Sequence, residues 1–297
     1  MKLSSAEHLA RPALLVATIA WAASFVIMKN TLDDIGLYYL LAIRFIGAAL
    51  LLGLLFHSVW GTPASGDLRN GLLCGVFLFC AYALQTEGLK TTTPGKNAFL
   101  TAVDCVLVPF LLWFFTRKKP SAFHVAAGGL GILGIGCISL NGEFGIAMGD
   151  LLTLGGGLLF AVHIIAVSEL TMGRSVIRLT TLQFLTAGIL SLIFAVALEE
   201  PPHFISRQTA GSLVYLCVFA TALAFLCQIF GQRHLSAAST SLILSLEAVF
   251  SVIFSFLFAA EPINGRILLG FSLILLAILI SEVLPSSLRR FARLRRK

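Results

Sequence analysis

Two carboxylates, Asp104 and Glu247, lie inside long apolar stretches of a 297-residue chain. An acid at the centre of a membrane helix costs about 2.5–3.5 kcal/mol on insertion scales, so it must face a cavity or a partner. Asn97, Thr101 and Asp104 are spaced i, i+4, i+7 and share one helical face. Thr240, Glu247 and Ser251 form a second such face. Faces of this kind could line a polar cavity, bind an amine or carry a proton. They could equally be structural clusters in which a protonated acid bonds to a neighbouring helix.

Other polar residues sit in the same apolar stretches. Tyr82 and Gln85 are i, i+3, and Thr221, Phe225 and Gln228 are i, i+4, i+7. Glutamine both donates and accepts, which suits amide, carboxylate or ammonium ligands. Interhelical glue explains it as well. Arg44 keeps its proton at ordinary pH, so it must snorkel, pair or line water. The outer headgroup zone is its expected place, with pairing or gating as the alternative. His163 follows a Gly155–Gly157 run and is either a titrating group or a hydrogen-bonded packing residue. Trp21 and Ser24 are candidates for the cavity wall. Lys96 is expected to snorkel and to pair with Glu87.

These residues need helices to position them, and the composition says which kind. The chain is 58% hydrophobic and 12% charged, with a mean hydropathy of +0.96. Globular chains carry about 25% charged residues, so a soluble enzyme or a nucleic-acid-binding domain is excluded. Disorder is excluded too, because it needs low hydrophobicity. Ten apolar segments are expected, roughly 12–29, 36–57, 68–89, 96–116, 121–140, 149–169, 176–198, 208–231, 236–259 and 264–284. Each has about the length that crosses a bilayer as a helix. The fold class is therefore all-α, membrane-embedded, with ten helices. The first segment has signal-peptide features in Lys2, Arg11 and the small residues near Ala22, but the repeat described next needs it.

At an offset of 143, Cys74/Cys217, Ala81/Ala224, Gln85/Gln228 and Gly88/Gly231 are identical, and Tyr82/Phe225 and Asp104/Glu247 are conservative. The first two segments repeat at an offset of 139, pairing Trp21/Phe160, Ser24/His163, Arg44/Gln183 and Phe45/Phe184. Gln183 joins Arg44 and Lys96 as a candidate for pairing or gating. Five helices per repeat force the second to be inverted, an architecture common in secondary transporters. The expected units are residues 1–145, residues 146–284 and a basic cytoplasmic tail, 285–297.

The net charge is +7. With the N-terminus inside, Lys2, Arg11, Arg69, Arg117, Lys118, Lys119, Arg174, Arg178, Arg233 and six tail residues fall on the cytoplasmic side. Lys29, Lys90, Lys96, Arg207 and Arg266 fall on the other, which supports both termini inside. The six cysteines lie in apolar segments with no CxxC pair. No metal-ligand spacing, Gly-x-Ser-x-Gly elbow or Walker motif occurs, so no metal, cofactor or enzymatic activity is expected. Gly128, Gly131 and Gly134 are read as a packing stripe.

The chain resembles the drug/metabolite transporter superfamily, EamA type. Trp21-Ala22-Ala23-Ser24-Phe25 is similar to the family's first-helix opening, and Arg44-Phe45 to its Arg-aromatic pair. Thr92 to Pro109 resembles the third-to-fourth-helix signature. Ser245 to Phe250 resembles Ser-Leu-Glu-Pro-Val-Phe, with Ala248 in place of proline, and Glu261 matches the acid that follows. The resemblance covers residues 10–284. It implies two inverted five-helix repeats with cytosolic termini in a cell membrane. It also implies secondary transport, in the outward direction, of small metabolites such as amino acids. Uptake, multidrug efflux or a passive channel are the alternatives. Small-molecule substrate, membrane lipid and protons are the expected partners, and nucleic acid is not one.

Overall fold

The computed structural model describes residues 5–57, 65–117, 119–140, 146–170, 174–202, 204–235, 243–244, 246–262 and 264–294. Ten apolar helices follow one another. They are α1 (Ser5–Thr31), α2 (Leu37–Leu55), α3 (Asp67–Thr91), α4 (Pro94–Thr101 continued by Asp104–Thr116) and α5 (Ala122–Ser139). Then come α6 (Met148–Leu170), α7 (Val176–Leu198), α8 (Arg207–Val214, Tyr215–Leu223 and Ala224–His234), α9 (Leu246–Ala259) and α10 (Gly265–Leu294). Eight have the length and hydropathy to cross a membrane, and Leu246–Ala259 and Gly265–Ser281 are shorter apolar helices. Large apolar side chains such as Leu54, Phe114, Ile132 and Val196 point outward. Water would not tolerate such a surface, and lipid does. The chain is an integral membrane protein.

Local sequence accounts for several helix starts. Ser121, Ser175 and Ser206 accept bonds from the amides of His124, Arg178 and Thr209, capping α5, α7 and α8. Pro94 stands in the first turn of α4, where its missing N–H costs nothing. Two boundaries differ from expectation. The fourth segment is broken at Ala102 and Val103. There the amides of Cys105 and Val106 bond three residues back, and Asp104 accepts the Cys105 amide at 2.5 Å. Pro109, downstream, cannot donate to the carbonyl four residues before it. The last helix also runs past the expected end of the tenth segment at 284, on to Leu294. Basic residues near a helix C-terminus favour that extension.

Alternate helix ends share one side of the bundle. We call the side carrying the α3–α4 turn the Thr92 end. α2 packs on α7, and α5 on α10. α6, from the second half, packs on α3 and α4 of the first half. α1, from the first half, packs on α8 and α9 of the second. The halves have thus exchanged a helix. The α3–α6 contact is close because glycines line it. A Cβ on Gly156 would lie 3.0 Å from the Gln85 amide, and one on Gly149 would lie 2.8 Å from the Gly88 carbonyl.

Gly149→Ala must push these backbones apart. It should lower unfolding stability by about 1–3 kcal/mol, read as a drop in thermal midpoint in detergent. Gly129→Ala, with no atom within 4 Å of the new Cβ, should leave the midpoint in place. Equal midpoints in the two variants would contradict the packing.

Candidate functional site

Arg44 does not reach the headgroups. It is 1% exposed, in the middle of α2. Its Nε donates to Thr221 Oγ1 at 2.7 Å, and its Nη2 to the Ala220 carbonyl at 3.3 Å and Tyr82 OH at 3.4 Å. Nη1 contacts Met28 Sδ at 3.1 Å. The guanidinium carbon lies 4.8 Å from the centre of the Tyr82 ring. Its charge is thus held by dipoles and a π face. The snorkelling expectation fails because groups on α1, α3 and α8 engage the guanidinium inside the bundle.

α8 is widened where it meets Arg44. Residues Tyr215–Leu223 form a π-helix. Such turns cluster at functional sites. Here Thr221 Oγ1 donates to the carbonyl of Leu216, five residues back, while accepting from Arg44. The Ala220 carbonyl accepts both Arg44 and Trp21 Nε1, the latter at 2.8 Å. The matching stretch of α3 stays α-helical.

Six aromatic rings form an arc through the bundle. Trp21 meets Phe225 at 5.5 Å, Phe225 meets Phe184 at 4.9 Å, and Phe184 meets Phe45 at 5.8 Å. Phe45 meets Tyr82 at 5.0 Å, and Tyr82 meets Phe160 at 5.0 Å. The members are three repeat pairs, Trp21/Phe160, Phe45/Phe184 and Tyr82/Phe225. The two outer contacts on each side are edge-to-face and the central one is tilted, so the contact geometry is the same read from either end. Phe45, Phe160 and Phe184 were absent from the expected site. Their repeat pairing was the signal that could have found them.

The acids flank this arc. Glu247, in the first turn of α9, is half-buried and within electrostatic reach of Asp104 and Arg44. Tyr82 also feels Glu247. Asp104 is half-buried at the α4 break, its Oδ1 on the Cys105 amide. The structure therefore brings Trp21, Arg44, Tyr82, Asp104, Phe225 and Glu247 into one neighbourhood. Ser24 is buried beside Trp21 and donates to its carbonyl at 2.6 Å. Gln228 is half-buried on α8 and makes no side-chain hydrogen bond to another described residue.

The remaining candidates are engaged elsewhere. His163 and Gln183 bond to each other at 2.9 Å, both buried, joining α6 to α7. Gln85 donates to Thr101 Oγ1 at 3.0 Å, and Thr101 donates to the Asn97 carbonyl at 2.9 Å. The Asn97 amide donates to the Gln85 carbonyl at 3.0 Å and to Thr153 Oγ1 at 2.8 Å. Asn97 has no exposure at all. This knot ties α3, α4 and α6 together. Lys96 pairs with Asp150 at 2.5 Å rather than with Glu87, which pairs with Lys90 at 2.7 Å. Asp150 is fully buried and also accepts from Thr92 at 3.0 Å. A buried carboxylate needs a cation more than an exposed one does. Thr240 lies outside the described residues. Among those described, no group of His, Cys, Asp and Glu could hold a metal ion.

A membrane bundle of two related five-helix halves, with an ionisable cluster at their junction, is a transporter architecture. The EamA-like transporter family matches residues 10–140 and 147–282, and the chain belongs to that family. An uncharacterised transporter of Archaeoglobus fulgidus is 29% identical over 267 residues, covering 90% of this chain and 83% of the relative. The uncharacterised transporter YyaM of Bacillus subtilis is 25% identical over 286 residues, covering 90% of this chain and 91% of the relative. A protein of solved crystal structure, 17% identical, shares the fold with a TM-score of 0.65 over 94% of this chain and 98% of its own.

Thr221→Val removes the acceptor of Arg44 Nε and keeps the shape of the side chain. It should cost about 1.5–3 kcal/mol, the range for hydrogen bonds to charged groups, seen as a lower thermal midpoint. An unchanged midpoint would mean that Arg44 does not depend on α8.

Proposed function

We propose that this protein is a secondary transporter exporting a small amine-bearing metabolite, with amino acids the leading class. The site is the neighbourhood of Asp104, Glu247, Trp21, Tyr82 and Phe225. The observation that carries this reading is the ionisable cluster where the halves meet. Half-buried Glu247 is within electrostatic reach of both Asp104 and Arg44. A cationic ligand group, or a proton when the site is empty, is favoured beside two neighbouring acids. The aromatic rings offer π faces to the same cation. Arg44 already has partners for its nitrogens, so a ligand carboxylate falls to other donors. The Gln228 amide supplies one.

Access alternates about the junction of the repeats, residues 1–145 and 146–284. Lys and Arg placement supports cytoplasmic termini in the cell membrane, with the Thr92 end outside. Solute carried down its own gradient alone would make the protein a passive channel. Flux insensitive to an imposed proton gradient is the mark of that case.

Asp104→Asn and Glu247→Gln should each cut export at least about tenfold, the cost of 1.4 kcal/mol of lost binding. Both proteins should still insert and fold. The measurement is metabolite profiling of medium and cytosol from cells overexpressing wild type or variant. Wild-type export by both variants would remove the acids from the mechanism.

A further inference from the structure

The exchanged helices define two bodies. The first is α3, α4 and α6, tied by the Lys96–Asp150 ion pair, the Asn97 knot and the glycine contacts at Gly149 and Gly156. The second is α8 and α9, each packed on α1, with Trp21 donating to the Ala220 carbonyl, Tyr215 to that of Ala20, and Thr18 to that of Ile243 just before α9. α9 also packs on the start of α4, with Val252 against Gly95, and two charged side chains of the second body reach across to the first, both gripping the α3–α4 turn. Lys29 of α1 donates to the carbonyls of Leu89 at 2.7 Å, Lys90 at 2.7 Å and Thr92 at 3.2 Å. Glu261, just past α9, accepts from the Gly95 amide at 3.0 Å and from the Thr93 hydroxyl. Ser255 of α9 holds the same carboxylate, which is 5% exposed.

The signs are right for the helix ends they meet. Lys29 sits on the carbonyl end of α3 and Glu261 on the amide end of α4. Gly95 makes the second contact possible, since a Cβ there would lie 2.7 Å from Glu261 Oε2. The repeat does not provide this device twice. The offsets pair Lys29 with Ser168, Glu261 with Lys118 and Gly95 with Ala238. At the opposite end, Asp67 pairs with Arg174 at 2.5 Å and Arg178 at 2.6 Å, which ties α3 to α7 rather than to the second body.

We propose that Lys29 and Glu261 are gating residues that hold the bundle shut at the Thr92 end by clamping the α3–α4 turn, and that the bodies parted when the clamp opens are α3–α4–α6 and α1–α8–α9. The cycle it serves rests on the transporter reading above, but its test needs no substrate. Spin labels on Glu87→Cys and Gln208→Cys, exposed positions on α3 and α8, report the distance across this end. The labels go on full-length protein with the native cysteines replaced, in lipid nanodiscs. Wild type should give one short distance. Lys29→Gln and Glu261→Gln should each add a population longer by about 5 Å, the scale of a one-turn shift. Lys29→Arg, which keeps the cation, should stay short. Gly95→Ala gives a second way to open the clamp if a charge variant fails to fold, and it should show the same longer population. Unchanged distances in the folded opening variants would overturn the clamp. Lost export in Asp104→Asn with these distances intact would concern the site alone.

Discussion

A guanidinium that cannot shed its proton sits 1% exposed inside a membrane bundle. Much of the central geometry follows from that constraint. No carboxylate contacts Arg44 directly among the described residues. Its charge is spread over a hydroxyl, a carbonyl, a thioether and a phenol ring. Placing those groups requires α8 to widen, because Thr221 and the Ala220 carbonyl must face α2 together. It requires Tyr82 to stand beside Phe45, and it brings Glu247 within reach of a positive field. A neutral residue at position 44 would make none of these demands. The side chain of Gln183, its repeat counterpart, bonds among the described residues only to His163, and α3, the counterpart of α8, has no widened turn.

The inverted repeat explains what Arg44 does not. The aromatic arc reads the same from both ends because each contact on one side has a repeat mate on the other. The central Phe45–Phe184 contact joins a residue to its own mate, so the pseudo-two-fold passes between them. The same operation relates the α3–α6 packing to α1–α8. Exchange of α1 and α6 keeps either half from standing alone: each needs the other to complete a three-helix body. Symmetry supplies the scaffold, and departures from it carry the charge. Arg44, Lys29 and Glu261, which stand against Gln183, Ser168 and Lys118 in the sequence repeat, all bond between elements of the two halves.

Much of this was legible in the residues. Hydropathy and punctuation located ten helices, since a membrane helix must satisfy its backbone internally. The repeat offsets picked out every aromatic pair of the arc and the Asp104/Glu247 pair. What stayed hidden was which way each polar side chain turns. Lys96 lies at a helix end, where Glu87 is near in sequence, but the pair forms with fully buried Asp150 of α6, a contact that no sequence spacing reveals. Arg44 was expected at the surface because a stem of that length usually escapes; neighbours on three other helices prevent it. The π-helix leaves no mark in composition, and the break in α4 shows only as Asp104 and Pro109 standing five residues apart.

Charge placement also ties the site to the ends of the bundle. Asp104 sits at the break in α4, and the Glu261-capped turn begins the same helix ten residues earlier. A rigid α-helix would pass any movement of that turn straight to Asp104. The break at Ala102 and Val103 interrupts that link. The first piece of α4 is fixed to α3 and α6 by the Asn97 knot, and the second packs chiefly on α6 as well, with smaller contacts to α5 and α10. Asp104 is the first residue of that second piece. Its position relative to Glu247 on α9 is therefore set by how the first body, which carries it, sits against the second. A ligand or proton that draws the two carboxylates together acts on the same helices that the clamp holds, and the strength of the clamp sets how much binding free energy is needed to part them.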